Sequence, residues 1–238
     1  GYTIAIAVFP TLVVNPFVYS KLPYSPLRDF SPVILLVRQS TVLIVGAQIP
    51  GTTLAEVLNL ARAKPEGLFY GSYGAGSLPH IAMGMLAKQA GLRMVHVPYA
   101  GNAQMNLALL AGQVQLLFST PDPVVESVKA GKLRAIATAG SRRTSLLPDT
   151  PTFAEAGMPN FDVATWSSIV APAGVPAEVV NRLNAALNTA LAAPTIRARF
   201  NAGGIETAGG SAAEFGRFLS AETERWGPVI KDLGVKFD

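Results

Sequence analysis

Apolar residues come along this chain in two alternating periods, short β-type runs and stretches spaced at three and four residues, with glycine and proline marking the joints. Tyr2 to Val8 predicts a buried strand, and Pro10, Asn15 and Pro16 break the next segment into a loop or short turn. Val33 to Val37 and Val42 to Val45 predict two more strands, or one long strand bent near Gln39 and Ser40. Beyond the Pro50-Gly51 turn, Thr53-Leu54-Ala55-Glu56 has the capping-box pattern, and Val57, Leu58 and Ala61 share one helix face.

From there the rhythm is regular. Strands are predicted at Leu68 to Gly71, Met94 to Tyr99, Val114 to Phe118 and Leu133 to Thr138, with helices at Leu78 to Ala90, Ala103 to Leu110 and Pro123 to Ala130. Gly91, Gly112 and Gly131 sit where these helices should stop. Such alternation predicts a parallel α/β sheet, whose ligands lie beyond the carboxyl ends of the strands. The loops Ser72 to Ser77, Tyr99 to Asn102 and Ser119 to Asp122 would then share one rim. After Thr138 the chain becomes basic and proline-marked, and the strand-like Val163 to Ala171 is a candidate crossing to another domain. Two helices close the pattern. Pro176 and Glu178 start one with Val180, Leu183, Leu187 and Leu191 along one side; Ser211-Ala212-Ala213-Glu214 caps a second, carrying Phe215, Phe218, Leu219, Glu222 and Trp226 toward a core.

Composition narrows the function classes. At 238 residues, half of them apolar and 14% charged, the chain can fill one large core or two modest ones. The net charge of +4 is spread out, with no basic stripe interleaved by aromatics, which argues against nucleic-acid binding and agrees with an anionic small ligand. The apolar runs fall far short of the ~20 residues a membrane helix needs, so no part is expected to span a bilayer. With no basic and apolar leader at residue 1, any export signal is expected to have been removed. The chain has no cysteine, which excludes disulfides and thiol chemistry, and His80 and His96 lack a second ligand at metal-binding spacing. Neither metal nor cofactor is expected.

The most informative segment is Phe69-Tyr70-Gly71-Ser72-Tyr73-Gly74-Ala75-Gly76-Ser77-Leu78-Pro79-His80, a strand entering a glycine-rich turn that opens into a helix. Backbone N–H groups crowd in such a turn, and the helix start adds unpaired donors and positive dipole. Gly71 and Gly76 have P-loop spacing, but Ser77 stands where the lysine should be. A dinucleotide fingerprint fails at Pro79 and for want of an acid near His96. A nest of N–H groups beside Ser72, Ser77 and His80 suits a small carboxylate; the competing reading is an ordinary turn with Ser77 as N-cap. Tyr99, with the amides of Gly101 and Asn102, is either a second arm of the site or a capped turn with a half-buried tyrosine. Asp122 could orient a ligand amine or simply favour its helix start, and Trp166 is either a cleft wall or a core aromatic. His96, alternating with Val95 and Val97, is expected to be a hydrogen-bonded sheet residue. No Gly-x-Ser-x-Gly elbow supports hydrolysis.

Over its whole length the chain resembles the extracytoplasmic solute receptors of tripartite tricarboxylate transporters, the Bordetella uptake or Bug proteins. The resemblance rests on Asn15-Pro16-Phe17-Val18-Tyr19, on Leu22-Pro23-Tyr24 through Asp29-Phe30-Ser31-Pro32-Val33, on Ser72-x-Gly74-x-Gly76-Ser77-x-x-His80, and on Val97-Pro98-Tyr99-x-Gly101. It continues through Ala130 to Ala135, Pro148 to Gly157, Trp166 and Ala171 to Pro176 in the same order.

The resemblance implies a two-lobed α/β periplasmic binding protein of type II, a Venus flytrap, with residues 1–44 and 166–238 in one lobe and 45–165 in the other. It implies a monomer in the periplasm that captures a small carboxylate and delivers it to membrane transporter subunits without catalysis. Dicarboxylates, tricarboxylates, acidic amino acids and aromatic carboxylates all fit. The ligand-binding role would pass to Ser72, Gly74, Ala75, Gly76 and Ser77, with Tyr99 and Gly101 beside them and Thr11 on the first lobe. Ser119 stands where family members often carry an aspartate, which bears on any amino-acid ligand. Relatives begin with a further pair of strand-helix units, about 60 residues at the usual size, so the first lobe is expected to lack its N-terminal part. The alternatives are a carboxylate sensor feeding a two-component system and a small α/β hydrolase or transferase using Ser77 or Tyr99.

Overall fold

A computed structural model describes residues 3–237. In chain order its elements are β1 (Ala5–Val8), a helical turn Pro10–Val14 running into α1 (Asn15–Val18), α2 (Pro26–Asp29), β2 (Phe30–Gly46), α3 (Leu54–Arg62), β3 (Leu68–Ser72), α4 (Leu78–Ala90), β4 (Met94–Pro98) and α5 (Asn102–Leu110). Then come β5 (Leu116–Ser119), α6 (Val125–Lys129), β6 (Leu133–Ala139), β7 (Ala164–Pro172), α7 (Ala177–Ala192), α8 (Pro194–Ala202), β8 (Glu206–Gly209) and α9 (Ala212–Asp232). Two compact units divide the chain, one running up to Gln39 and from Thr165 onward, the other covering Ser40–Ala164.

In the first unit β1 pairs antiparallel with β7, and β8 pairs antiparallel with β2 from Leu35 to Arg38. Val33, Ile34, Ile169, Ala171, Val180 and Leu191 form one apolar cluster under α7. A second centre gathers around Trp166, 1% exposed, whose ring meets Phe9, Phe215 and Phe218 edge-on. Glu222 Oε2 accepts from the indole N–H of both Trp166 and Trp226, each at 3.2 Å.

Two expectations change here, and a third resolves in favour of one of its alternatives. Tyr2 lies outside the described residues, and β1 is only partly buried: Ile6 is 73% exposed whereas Ala7 is 4% exposed. The loop or short turn expected at Pro10 to Pro16 is continuously helical, because both prolines fall in the first positions of a helical turn, where a missing N–H costs nothing. The apolar runs 33–37 and 42–45 join into one 17-residue strand, β2.

In the second unit the carboxyl half of β2 pairs antiparallel with β5 and β6, while β3 pairs parallel with both β4 and β5. The sheet is therefore mixed rather than wholly parallel, since β2 runs antiparallel between β5 and β6. Its core is built from Val42, Ile44, Met105, Leu109, Val114, Leu117 and Leu133 on one face. Phe118, Phe153 and Phe161 stack together elsewhere in the unit, with the last pair at 4.2 Å. Helix ends obey local chemistry. Gly91, Gly112 and Gly131 take φ of 63°, 75° and 70°, the left-handed conformation that stops a helix. Thr53 and Glu56 form the reciprocal capping box on α3, with Glu56 accepting the amides of Thr52 and Thr53. Thr53→Ala removes that cap and should lower the unfolding free energy by about 1 kcal/mol, read as a lower urea midpoint at unchanged slope.

Candidate functional site

Because β3 runs parallel to β4 and β5, the segments beyond all three strands emerge at the same end of the second unit's sheet. Ser72 closes β3, Pro98 closes β4 and Ser119 closes β5. The first two loops are tied directly, since the Tyr99 amide donates to the Ser72 carbonyl at 2.8 Å. Helix α4 packs on all three strands and α5 on β3, which fixes where the loops stand.

The 73–77 loop is held almost entirely by its own atoms. Ser72, fully buried, accepts the Gly74 amide at 3.1 Å and reaches the Gly74 carbonyl at 2.9 Å. Ser77 Oγ donates to the same carbonyl at 2.6 Å, and the Ser77 amide reaches it at 3.2 Å. The Gly76 amide donates to His80 Nδ1 at 3.1 Å. Gly74 and Gly76 have φ of 117° and 72°, which side-chain-bearing residues avoid, and this is why glycines occur at both. Ser77 does not cap α4 with its hydroxyl, so its side chain serves the loop. Three of the loop's amides are thus occupied internally. Those of Tyr73 and Ala75 have no acceptor among the described residues, and the amide of Leu78 opens α4. Tyr73 and Ala75 are exposed and Ser77 half-buried, so the two amides without acceptors belong to exposed residues beside a positive helix end.

Behind the loop lies a stack of three rings. Tyr70 pairs in register with His96, their centroids 5.1 Å apart, and His80 sits 4.3 Å from His96. His96 Nε2 is 2.6 Å from Ser72 Oγ, so His96 is a hydrogen-bonded sheet residue as its alternation suggested. The contact has the length of a nucleophile–base pair, but Ser72 is enclosed and already engaged by Gly74. Burial, and then the neighbouring His96, pull the His80 pKa down to about 4; burial lowers that of His96 and pushes Tyr70 up to about 12. All three rings are neutral at pH 7.

The remaining candidates are scattered over both units. Tyr99 is half-buried against the core, and Gly101 is extended at φ −179° with open space where a Cβ would project. Its backbone therefore does not demand glycine. Ser119 is buried with its hydroxyl lacking a partner among the described residues, as is Thr138, and both stand opposite Val42. Thr138 was not foreseen, because only the pairing of β6 with β2 brings it into this row. Asp122 is exposed, three residues before α6 begins. Thr11 and Trp166 belong to the first unit; the Thr11 carbonyl accepts the Tyr24 hydroxyl, and Trp166 fills the core role described above rather than lining open space. A groove of about 560 Å³ lies at the start of α3, lined by Pro50, Gly51, Thr52, Glu56, Asn59, Leu60 and Ala63. No candidate residue lines it, and the Glu56 carboxylate there, its pKa lowered by the amides it caps, disfavours an anion.

Among the described residues no cluster of histidines and acids could hold a metal ion, and no helix is long and apolar enough to cross a membrane. A mixed α/β fold with a glycine-rich, donor-bearing turn at the strand ends is compatible with a periplasmic binding protein. Residues 1–235 match the family described as tripartite tricarboxylate transporter family receptor. The chain is 38% identical to a protein from the tcbD-tcbE intergenic region of Pseudomonas sp. (strain P51), over 97% of this chain and 68% of that one. Among solved structures it is similar to Rpa4515 of R. palustris with adipate, at 33% identity and a TM-score of 0.86, covering 100% of this chain and 80% of that one. It is also similar to MatC of Rhodopseudomonas palustris with bound malate, at 28% identity and a TM-score of 0.80, covering 95% and 78%. The chain belongs to the receptor family of tripartite tricarboxylate transporters: it is a periplasmic solute-binding receptor, not an enzyme.

Proposed function

We propose that the arc of donors at residues 73–78 binds one carboxylate group of a small organic acid, which the receptor presents to the membrane subunits of a tripartite transporter. The observation that carries this reading is the loop itself. Its internal hydrogen bonds leave the Tyr73, Ala75 and Leu78 amides without acceptors while fixing their direction, so little ordering remains to be done when an anion arrives. No arginine is needed. Several hydrogen bonds to a charged acceptor, each contributing about 1.5–3 kcal/mol, suffice for tight binding.

Ser77 and the backbone of Gly101 flank the arc in this reading, with Tyr99 joining the two loops through Ser72. Adipate and malate, the acids bound by the two R. palustris relatives, are the natural probes. The two compact units act as the receptor's two lobes, and the protein works as a monomer.

Titration calorimetry of the chain with adipate and malate tests the function, and recovery of the acid unchanged separates a receptor from an enzyme. Gly101→Val sharpens the test. Its backbone conformation suits valine and nothing lies within 4 Å of the new Cβ, so thermal stability should hold. Binding should weaken about tenfold, the equivalent of one hydrogen bond, as the side chain keeps the acid from the backbone. Unchanged affinity in this variant would remove the Gly101 loop from the site.

A further inference from the structure

Resting on the carboxylate reading, we propose that His80 is the positioning residue of the site: its neutral imidazole holds the Gly76 amide, and with it the loop, so that acid binding is tied to pH through this one nitrogen.

The tautomer is set by the geometry alone. A backbone N–H can only donate, so His80 Nδ1, 3.1 Å from the Gly76 amide, must be an acceptor and the neutral ring carries its proton on Nε2. The single basic nitrogen is therefore the one that holds Gly76. Protonation turns it into a donor facing a donor, and the bond is lost. Gly76, at φ 72°, is the residue whose release swings the flanking Ala75 and Ser77 groups.

His96 behaves differently. If its Nε2 gains a proton, it donates to Ser72 Oγ while the Ser72 hydroxyl turns to the Gly74 carbonyl, 2.9 Å away. That network survives protonation. With centroids 4.3 Å apart, the two rings do not both charge readily.

The elements packed against His80 offer no anion to hold an imidazolium. Strand β3 brings Tyr70, β4 brings His96, α4 itself carries only Lys88 beyond His80, and neither β5 nor α5 has a charged or titratable residue. The ring is 8% exposed, so water does not substitute for one. The lowered pKa agrees, placing the loss of the bond on the acid side of neutrality. The stability linkage has the same sign. The unfolded chain takes up this proton near the ordinary histidine value and the folded chain only near 4, so folding stability is complete above about 6.5 and falls as the pH drops toward 4.

Two substitutions separate acceptor from bulk. His80→Asn can place its amide oxygen near the Nδ1 position without titrating, whereas His80→Leu offers no acceptor. At pH 7.5 calorimetry with adipate should show about a tenfold loss in His80→Leu and affinity within about twofold of the parent in His80→Asn. In the ligand-free parent chain, the Gly76 amide resonance should titrate together with the His80 imidazole, below pH 6.5, and stay flat in His80→Asn. Equal losses in both variants, parent-like binding in His80→Leu, or a Gly76 amide that stays flat while His80 titrates would each overturn the assignment. If the parent binds neither adipate nor malate, the carboxylate reading fails, and the ligand-free Gly76 titration still decides the role of His80.

Discussion

Gly76→Val is expected to weaken adipate binding by about 10²-fold to 10⁴-fold while leaving the protein folded. Gly76 sits at φ 72°, where a β-branched residue is excluded, so the backbone must leave that conformation. Its amide then loses His80, and the Ala75 and Leu78 amides on either side no longer point together. Losing two hydrogen bonds to a charged acceptor, at about 1.5–3 kcal/mol each, sets that range. Gly76 is buried, and forcing this one residue out of the left-handed conformation should cost about 1–2 kcal/mol of stability. Calorimetry and thermal melting read the two quantities separately. Affinity within about fivefold of the parent would mean that the loop does not hold the acid.

The largest stability effect is expected far from this loop, at Glu222. One carboxylate oxygen satisfies two buried indole donors, from Trp166 and Trp226, and Phe9 stacks edge-on against both rings. Leucine would fill the space and leave both N–H groups without partners, at about 1–3 kcal/mol for each orphaned donor. Glu222→Leu should therefore lower the unfolding free energy by about 2–6 kcal/mol in guanidinium titrations. Glu222→Gln keeps an acceptor oxygen and should lose much less. The Arg225 pair adds little, since its guanidinium is one-third exposed. A loss below about 1 kcal/mol in the leucine variant would show that water reaches the indoles.

The features legible in the sequence are those that local chemistry decides. Both capping boxes, at Thr53–Glu56 and Ser211–Glu214, form as spelled, because each closes within four residues. The glycine stops of α4, α5 and α6 reflect the cost of left-handed backbone for any other residue. The turn at 72–77 was legible for the same reason, down to its two glycines. The illegible features depend on pairing. Alternating strands and helices announce element types but not which edge a strand joins, so the antiparallel docking of β6 on β2 stayed hidden, and Thr138 with it. Short elements were also missed: α8 has no buried residue and β8 only four residues, too few for a period to show. Within the loop, the sequence predicted amides turned toward a ligand, whereas three of them serve the loop itself. That division depends on Ser72 and His80, whose partners lie two and four residues away in a fold of the chain that no propensity describes.

The most direct measurement is a crystal structure of the chain with adipate. One adipate carboxylate is expected with its oxygens within about 3.2 Å of the Ala75 and Leu78 amides, and with Gly76 still bonded to His80. Ordered adipate making no contact with residues 73–78 would contradict the carboxylate reading.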